Sequence, residues 1–97
     1  MPKWKPVTIE ELDALAEAND IVGLMKRAIS HWAFLPMDEF DNDTPLNQLR
    51  PYFGQISKIG MMVGLRDYGP GFKLDCDEDV LILNTVNQFV DFVLREQ

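Results

Sequence analysis

The chain has 97 residues, with 16 Asp and Glu against 9 Lys and Arg, which gives a formal net charge of -7. That length holds one small domain, and 46% hydrophobic with 26% charged residues is a globular rather than a disordered composition. The acidity argues against nucleic acid, whose phosphates would be repelled, and suits partners with basic surfaces.

A single cysteine, Cys76, leaves no internal disulfide and no multi-cysteine zinc site. No apolar run reaches the roughly 18–20 residues needed to span a bilayer. Met1-Pro2-Lys3-Trp4-Lys5-Pro6 is followed by acidic residues instead of an apolar core, so no secretory signal is read. These features lead us to expect a soluble, cytoplasmic monomer.

In chain order, residues 1–7 read as a short Pro- and Lys-rich arm. Thr8-Ile9-Glu10-Glu11 is a capping box: the Thr8 hydroxyl can accept from the Glu11 amide while the Glu11 carboxylate reaches back. Ile9, Leu12, Leu15 and Ala16 then follow at helical spacing. Asn19-Asp20 is placed to end this helix and cap the next. In that second helix, Ile21, Leu24, Met25, Ala28, Ile29 and Trp32 recur at i, i+3, i+4, i+7, i+8 and i+11. Lys26, Arg27 and Ser30 are assigned to its outer face, and Pro36 stops it.

Residues 36–51 read as an irregular loop with three prolines and four acids, anchored by Phe40, Leu46 and Leu49. A third helix is expected from Gly54 or Gln55 to Leu65 or Arg66, burying Ile56, Ile59, Met62 and Val63. Gly60 and Gly64 weaken it by about 1 kcal/mol each relative to Ala and could admit a closely packed neighbour. Tyr68-Gly69-Pro70-Gly71 is a turn signal. An acidic stretch, Asp75 to Asp79, leads to a helical turn at Val80–Leu83. Thr85-Val86-Asn87-Gln88 repeats the capping-box pattern ahead of a last helix with Val86, Phe89, Val90, Val93 and Leu94 on one face. Period-two alternation is missing, so the fold class is all-α.

Few chemical constellations rise above the ordinary reading. Asp75, Asp77 and Asp79 alternate like the start of an EF-hand loop, but Val80 stands where its glycine belongs and Val86 where its bidentate glutamate belongs. Cys76 lies between acids that would raise its pKa. His31, the only histidine, falls late in a helix, where its charged form would complement the helix dipole. Met61 and Met62 with Gly60 and Gly64 could line a plastic apolar pocket or ordinary core. No acid–base pair or activated nucleophile is visible, and the chain is not read as an enzyme.

The order of pieces carries more information. Asp43-Thr44-Pro45-Leu46-Asn47-Gln48-Leu49, Asp77-Glu78-Asp79-Val80 and the Thr85-Val86 opening of the final helix, taken with the spacing of the helices, resemble the acyl carrier protein family over Ile21 to Leu94. The resemblance implies a small four-helix bundle over residues 21–97, preceded by an N-terminal arm and short helix at residues 1–20. It also implies a 4'-phosphopantetheine arm on a serine in an Asp-Ser-Leu element at the start of the third helix named above. Here those positions are Gly54-Gln55-Ile56, and Gln55 has no hydroxyl for a phosphodiester. A shifted register would use Ser57 instead.

Three functions therefore compete. The first is a non-catalytic module without the prosthetic group, which docks protein partners, acyl-transfer or other biosynthetic enzymes, through Gln55, Ile56, Lys58, Ile59 and Met62. The second is a divergent acyl or peptidyl carrier modified on Ser57. The third is an acidic helical inhibitor or immunity-type protein that caps a basic enzyme.

Overall fold

A computed structural model describes residues 4–48, 53–68 and 78–96. Among them there are four α-helices, α1 (Ile9–Glu17), α2 (Ile21–Ala33), α3 (Gln55–Tyr68) and α4 (Val86–Glu96), and no strand. Three short 3-10 turns join them, at Met37–Glu39, Leu46–Gln48 and Glu78–Ile82. The fold is an all-α small bundle. Leu49, the Gly69-Pro70-Gly71 part of the expected turn, and Asp75 to Asp77 with Cys76 lie outside the described residues.

The capping residues act where the sequence places them. Thr8 Oγ1 accepts from the Glu11 amide at 3.2 Å. α1 ends with Asn19 in the left-handed region (φ 55°), where the Asp20 amide donates to the Leu15 carbonyl and the Asn19 amide to the Ala16 carbonyl. These two bonds form a Schellman stop. One residue later Asp20 Oδ1 accepts from the Gly23 amide at 2.9 Å and starts α2. Thr85 Oγ1 accepts from the Gln88 amide at 3.1 Å, and Gln88 Oε1 accepts in return from the Asn84 amide at 2.6 Å.

α2 is the central element, and α1, α3, α4 and the first 3-10 turn all pack against it. Leu24, Met25, Ala28, Ile29 and Ala33 are buried on it, while Trp32 stays 36% exposed. Phe40 and Leu46 anchor the long loop as expected. Asn84 ties that loop to the head of α4. Its carbonyl accepts from the Leu46 amide at 2.7 Å and its Oδ1 from the Asn47 amide at 2.9 Å. Phe53, just ahead of α3, is buried edge-on against Phe89, ring centres 6.3 Å apart.

Three expectations about faces need correction. Arg27 and Ser30 are buried rather than outward, at 7% and 2% exposure, because the N-terminal segment lies over that side of α2. On α4, Phe92 takes the buried place expected for Leu94, which is exposed. On α3 the buried stripe is Lys58, Met61, Met62 and Leu65, at i, i+3, i+4 and i+7, so Ile56 and Ile59 turn outward.

Candidate functional site

α3 begins at Gln55, with Gln55 and Ile56 both exposed and Ser57 half-buried in the first turn. Ile56 is 88% exposed and Ile59, one turn on, 37%. Residues three apart on a helix share a face, so the two isoleucines form one apolar edge. The third 3-10 turn packs against α3 and carries Ile82, 77% exposed. Ile82 also forms one wall of an open groove of about 590 Å³, with Leu83 just after the turn and Gln88, Asp91, Leu94 and Arg95 on α4.

The five residues proposed from sequence as a docking face do not stay together. Gln55, Ile56 and Ile59 are on the surface. Lys58 (7% exposed) and Met62 (0%) are inside. Lys58 spans the α3 contact with the third turn, and its Nζ donates to the Leu81 carbonyl at 3.1 Å. Its aliphatic stem fills a core position while the ammonium reaches a backbone acceptor. Burial lowers the Lys58 pKa, since the charged form is the less solvated one there. Ile82 was not foreseen: it lies in the apolar run Val80-Leu81-Ile82-Leu83, whose Val80 and Leu83 are buried, and nothing local marks it as the exposed member.

The N-terminal segment builds a second cluster on α2. Arg27 holds Glu11 side-on, Nε to Oε2 at 2.7 Å and Nη2 to Oε1 at 3.2 Å, and the same Nη2 donates to the Lys5 and Pro6 carbonyls at 3.0 Å. That guanidinium is the first cause of a lowered Glu11 pKa, and hydrogen bonds from Thr8 add to it. Trp4 Nε1 donates to the Ser30 carbonyl at 2.8 Å, and its ring lies 5.2 Å from Phe34 and 6.1 Å from His31. His31 Nδ1 accepts from the Val7 amide at 3.1 Å. Burial first, and then the charge of Arg27, lower the His31 pKa.

Beneath this segment is a pocket of about 160 Å³ lined by Val7, Leu12, Ala28, His31, Trp32, Met61, Gly64 and Leu65. Met61 and Gly64 line this pocket, and Met61 is at the same time fully buried core, as Met62 is. Gly60 supplies the close approach: a Cβ there would lie 3.0 Å from the Trp32 ring.

Comparison with protein families, curated proteins and solved structures found no match. The assignment therefore rests on the residues themselves. Among the described residues no group of three or more His, Cys, Asp or Glu could hold a metal ion, and no helix is long and apolar enough to cross a membrane. Of the two positions that the resemblance offers for a modified serine, Gln55 is exposed and has no hydroxyl, and Ser57 is half-buried in the first turn of α3.

Proposed function

We propose that this protein is an acyl-carrier-protein-like, non-catalytic module that binds partner proteins through the start of α3 and does not carry a phosphopantetheine arm. The observation that carries the reading is Ile56, 88% exposed beside Gln55 at the head of the helix. Nearly full exposure of a β-branched apolar side chain contributes little to the fold, and its place on one edge with Ile59 suits a partner's apolar socket. The order of elements supports the family part of the reading: a helix, a long loop with short turns, a helix that starts at Gln55, a short turn and a final helix.

The partner class is an enzyme with an apolar socket rimmed by basic residues. The net charge of -7 would speed encounter and fix orientation, with the isoleucine edge supplying the contact that lasts. The test is affinity capture from cell lysate with the wild-type chain and with Ile56→Glu. The reading predicts a discrete enzyme partner that the variant loses while its circular dichroism stays helical. Equal capture by both proteins would reject this face. A partner retained by Ile56→Glu but released by moderate salt would favour the acidic-inhibitor reading instead.

A further inference from the structure

We propose that the Val7 end of the N-terminal segment is a pH-sensitive strap, held on α2 by neutral His31 and released on its protonation while Trp4 and the Lys5 and Pro6 carbonyls stay tied to α2, and that this release uncovers the apolar pocket between α2 and α3. The Val7 amide donates to His31 Nδ1 at 3.1 Å. A ring nitrogen accepts only when it carries no proton, so the bond requires the neutral tautomer protonated at Nε2. Protonation at Nδ1 turns the acceptor into a donor facing another donor.

The surroundings oppose a positive ring as well. Arg27, one turn earlier on the same helix, is cationic, and its guanidinium is already committed to Glu11 and to the Lys5 and Pro6 carbonyls. The Glu11 carboxylate of α1 is spent on Arg27 at 2.7 Å. From the N-terminal segment, His31 meets the Trp4 ring and the Val7 amide. Trp32 lies edge-on at 6.0 Å. From α3, Met61, Gly64 and Leu65 share the pocket with His31, and none of them is charged. Among the described residues set against the His31 ring, namely Trp4, Val7, Trp32, Met61, Gly64 and Leu65, none is a carboxylate that could pair with an imidazolium, and the lowered His31 pKa agrees with that.

Val7 is both the strap's contact with His31 and a wall of the pocket. Lifting it therefore opens the cavity on one side while Leu12, Ala28, Trp32, Met61 and Leu65 stay in place on their helices. Histidine is the side chain whose ordinary titration falls in the range cells use for such switches.

The experiment is an NMR titration of the full chain from about pH 8 to about pH 5, following the His31 ring protons and the backbone order parameters of residues 7 and 8. The proposal predicts that these order parameters fall from about 0.85 to below about 0.6, with the midpoint of the His31 ring titration. A soluble paramagnetic probe should broaden the Met61 methyl signal over the same interval. His31→Asn places an amide oxygen near the Nδ1 position and does not titrate, so its strap should stay ordered throughout. The proposal is overturned if the strap stays ordered while His31 titrates, if it loosens at a different midpoint, or if His31→Asn loosens in the same way. The wild-type titration is decisive by itself, whether or not the variant folds.

Discussion

The Arg27 guanidinium grips the Glu11 carboxylate side-on, through Nε at 2.7 Å and Nη2 at 3.2 Å, and so fastens α1 to α2. The same guanidinium donates to two carbonyls of the N-terminal segment. Arg27→Ala removes four hydrogen bonds to groups that water can then reach, since the Glu11 side chain is 43% exposed. A loss of about 2–3 kcal/mol is expected, below the value for orphaning a fully buried charge. Urea denaturation should show it, together with loosening of residues 4–17. Glu11→Gln, which keeps the backbone contacts, should cost less.

The two glycines of α3 make opposite predictions. Gly64 has nothing within 4 Å of a built Cβ, so Gly64→Ala should gain up to about 1 kcal/mol from helix propensity. At Gly60 the added methyl meets the Trp32 ring at 3.0 Å, and Gly60→Ala should lose that gain or reverse it as the indole is displaced. Thermal melts of the two variants side by side decide the matter, and a stabilised Gly60→Ala with no change at Trp32 would contradict the packing.

Lys58 provides a third. Lys58→Met keeps the stem and removes a desolvated charge, and its stability should stay within about 1 kcal/mol of wild type. Lys58→Glu buries a carboxylate against the Leu81 carbonyl and should cost about 3 kcal/mol or more. Chemical denaturation of both tests whether this lysine is inside; a Lys58→Glu variant as stable as wild type would return it to the surface.

These cases also show what the sequence could and could not reveal. Element order, both capping boxes, the Asp20 cap and the loop anchors Phe40 and Leu46 were legible, because each depends on a few neighbouring residues or on a strong apolar period. The faces of α3 were not. Its sequence reads as burying Ile56, Ile59, Met62 and Val63, and only Met62 of these is fully buried, because the competing stripe is Lys58, Met61, Met62 and Leu65. That stripe wins in the fold, with Gly60 turned to Trp32 and Lys58 finding the Leu81 carbonyl on the third 3-10 turn. Arg27 and Ser30 read as an outer face for a similar reason: the arm that covers them is distant in sequence and carries little periodic signal. Of the candidate docking face, Gln55, Ile56 and Ile59 are on the surface although the helical spacing reads the two isoleucines as buried, Lys58 and Met62 are inside, and Ile82 was missed.

Acid should destabilise the protein in two steps. His31 has a folded pKa below the ordinary 6.5, through burial and then Arg27. The folded state binds fewer protons there than the unfolded chain, so this contribution is fully present above 6.5 and is lost as pH falls toward the folded value. Glu11 has a folded pKa below the ordinary 4.5, chiefly through its hydrogen bond from Arg27. Its contribution is present above 4.5 and is lost as pH falls through the lowered value. Urea midpoints measured against pH should show both steps, with His31→Asn removing the first alone.

The central claim is a carrier-like binding module that presents Gln55 and Ile56 where a carrier presents its modified serine. The most direct measurement is the intact mass of the protein after incubation with coenzyme A and a broad-specificity phosphopantetheinyl transferase, with an authentic carrier protein as the positive control. The account predicts an unchanged mass while the control is fully loaded. A gain of one phosphopantetheine that maps to Ser57 and disappears in Ser57→Ala would contradict it and make the protein a working carrier.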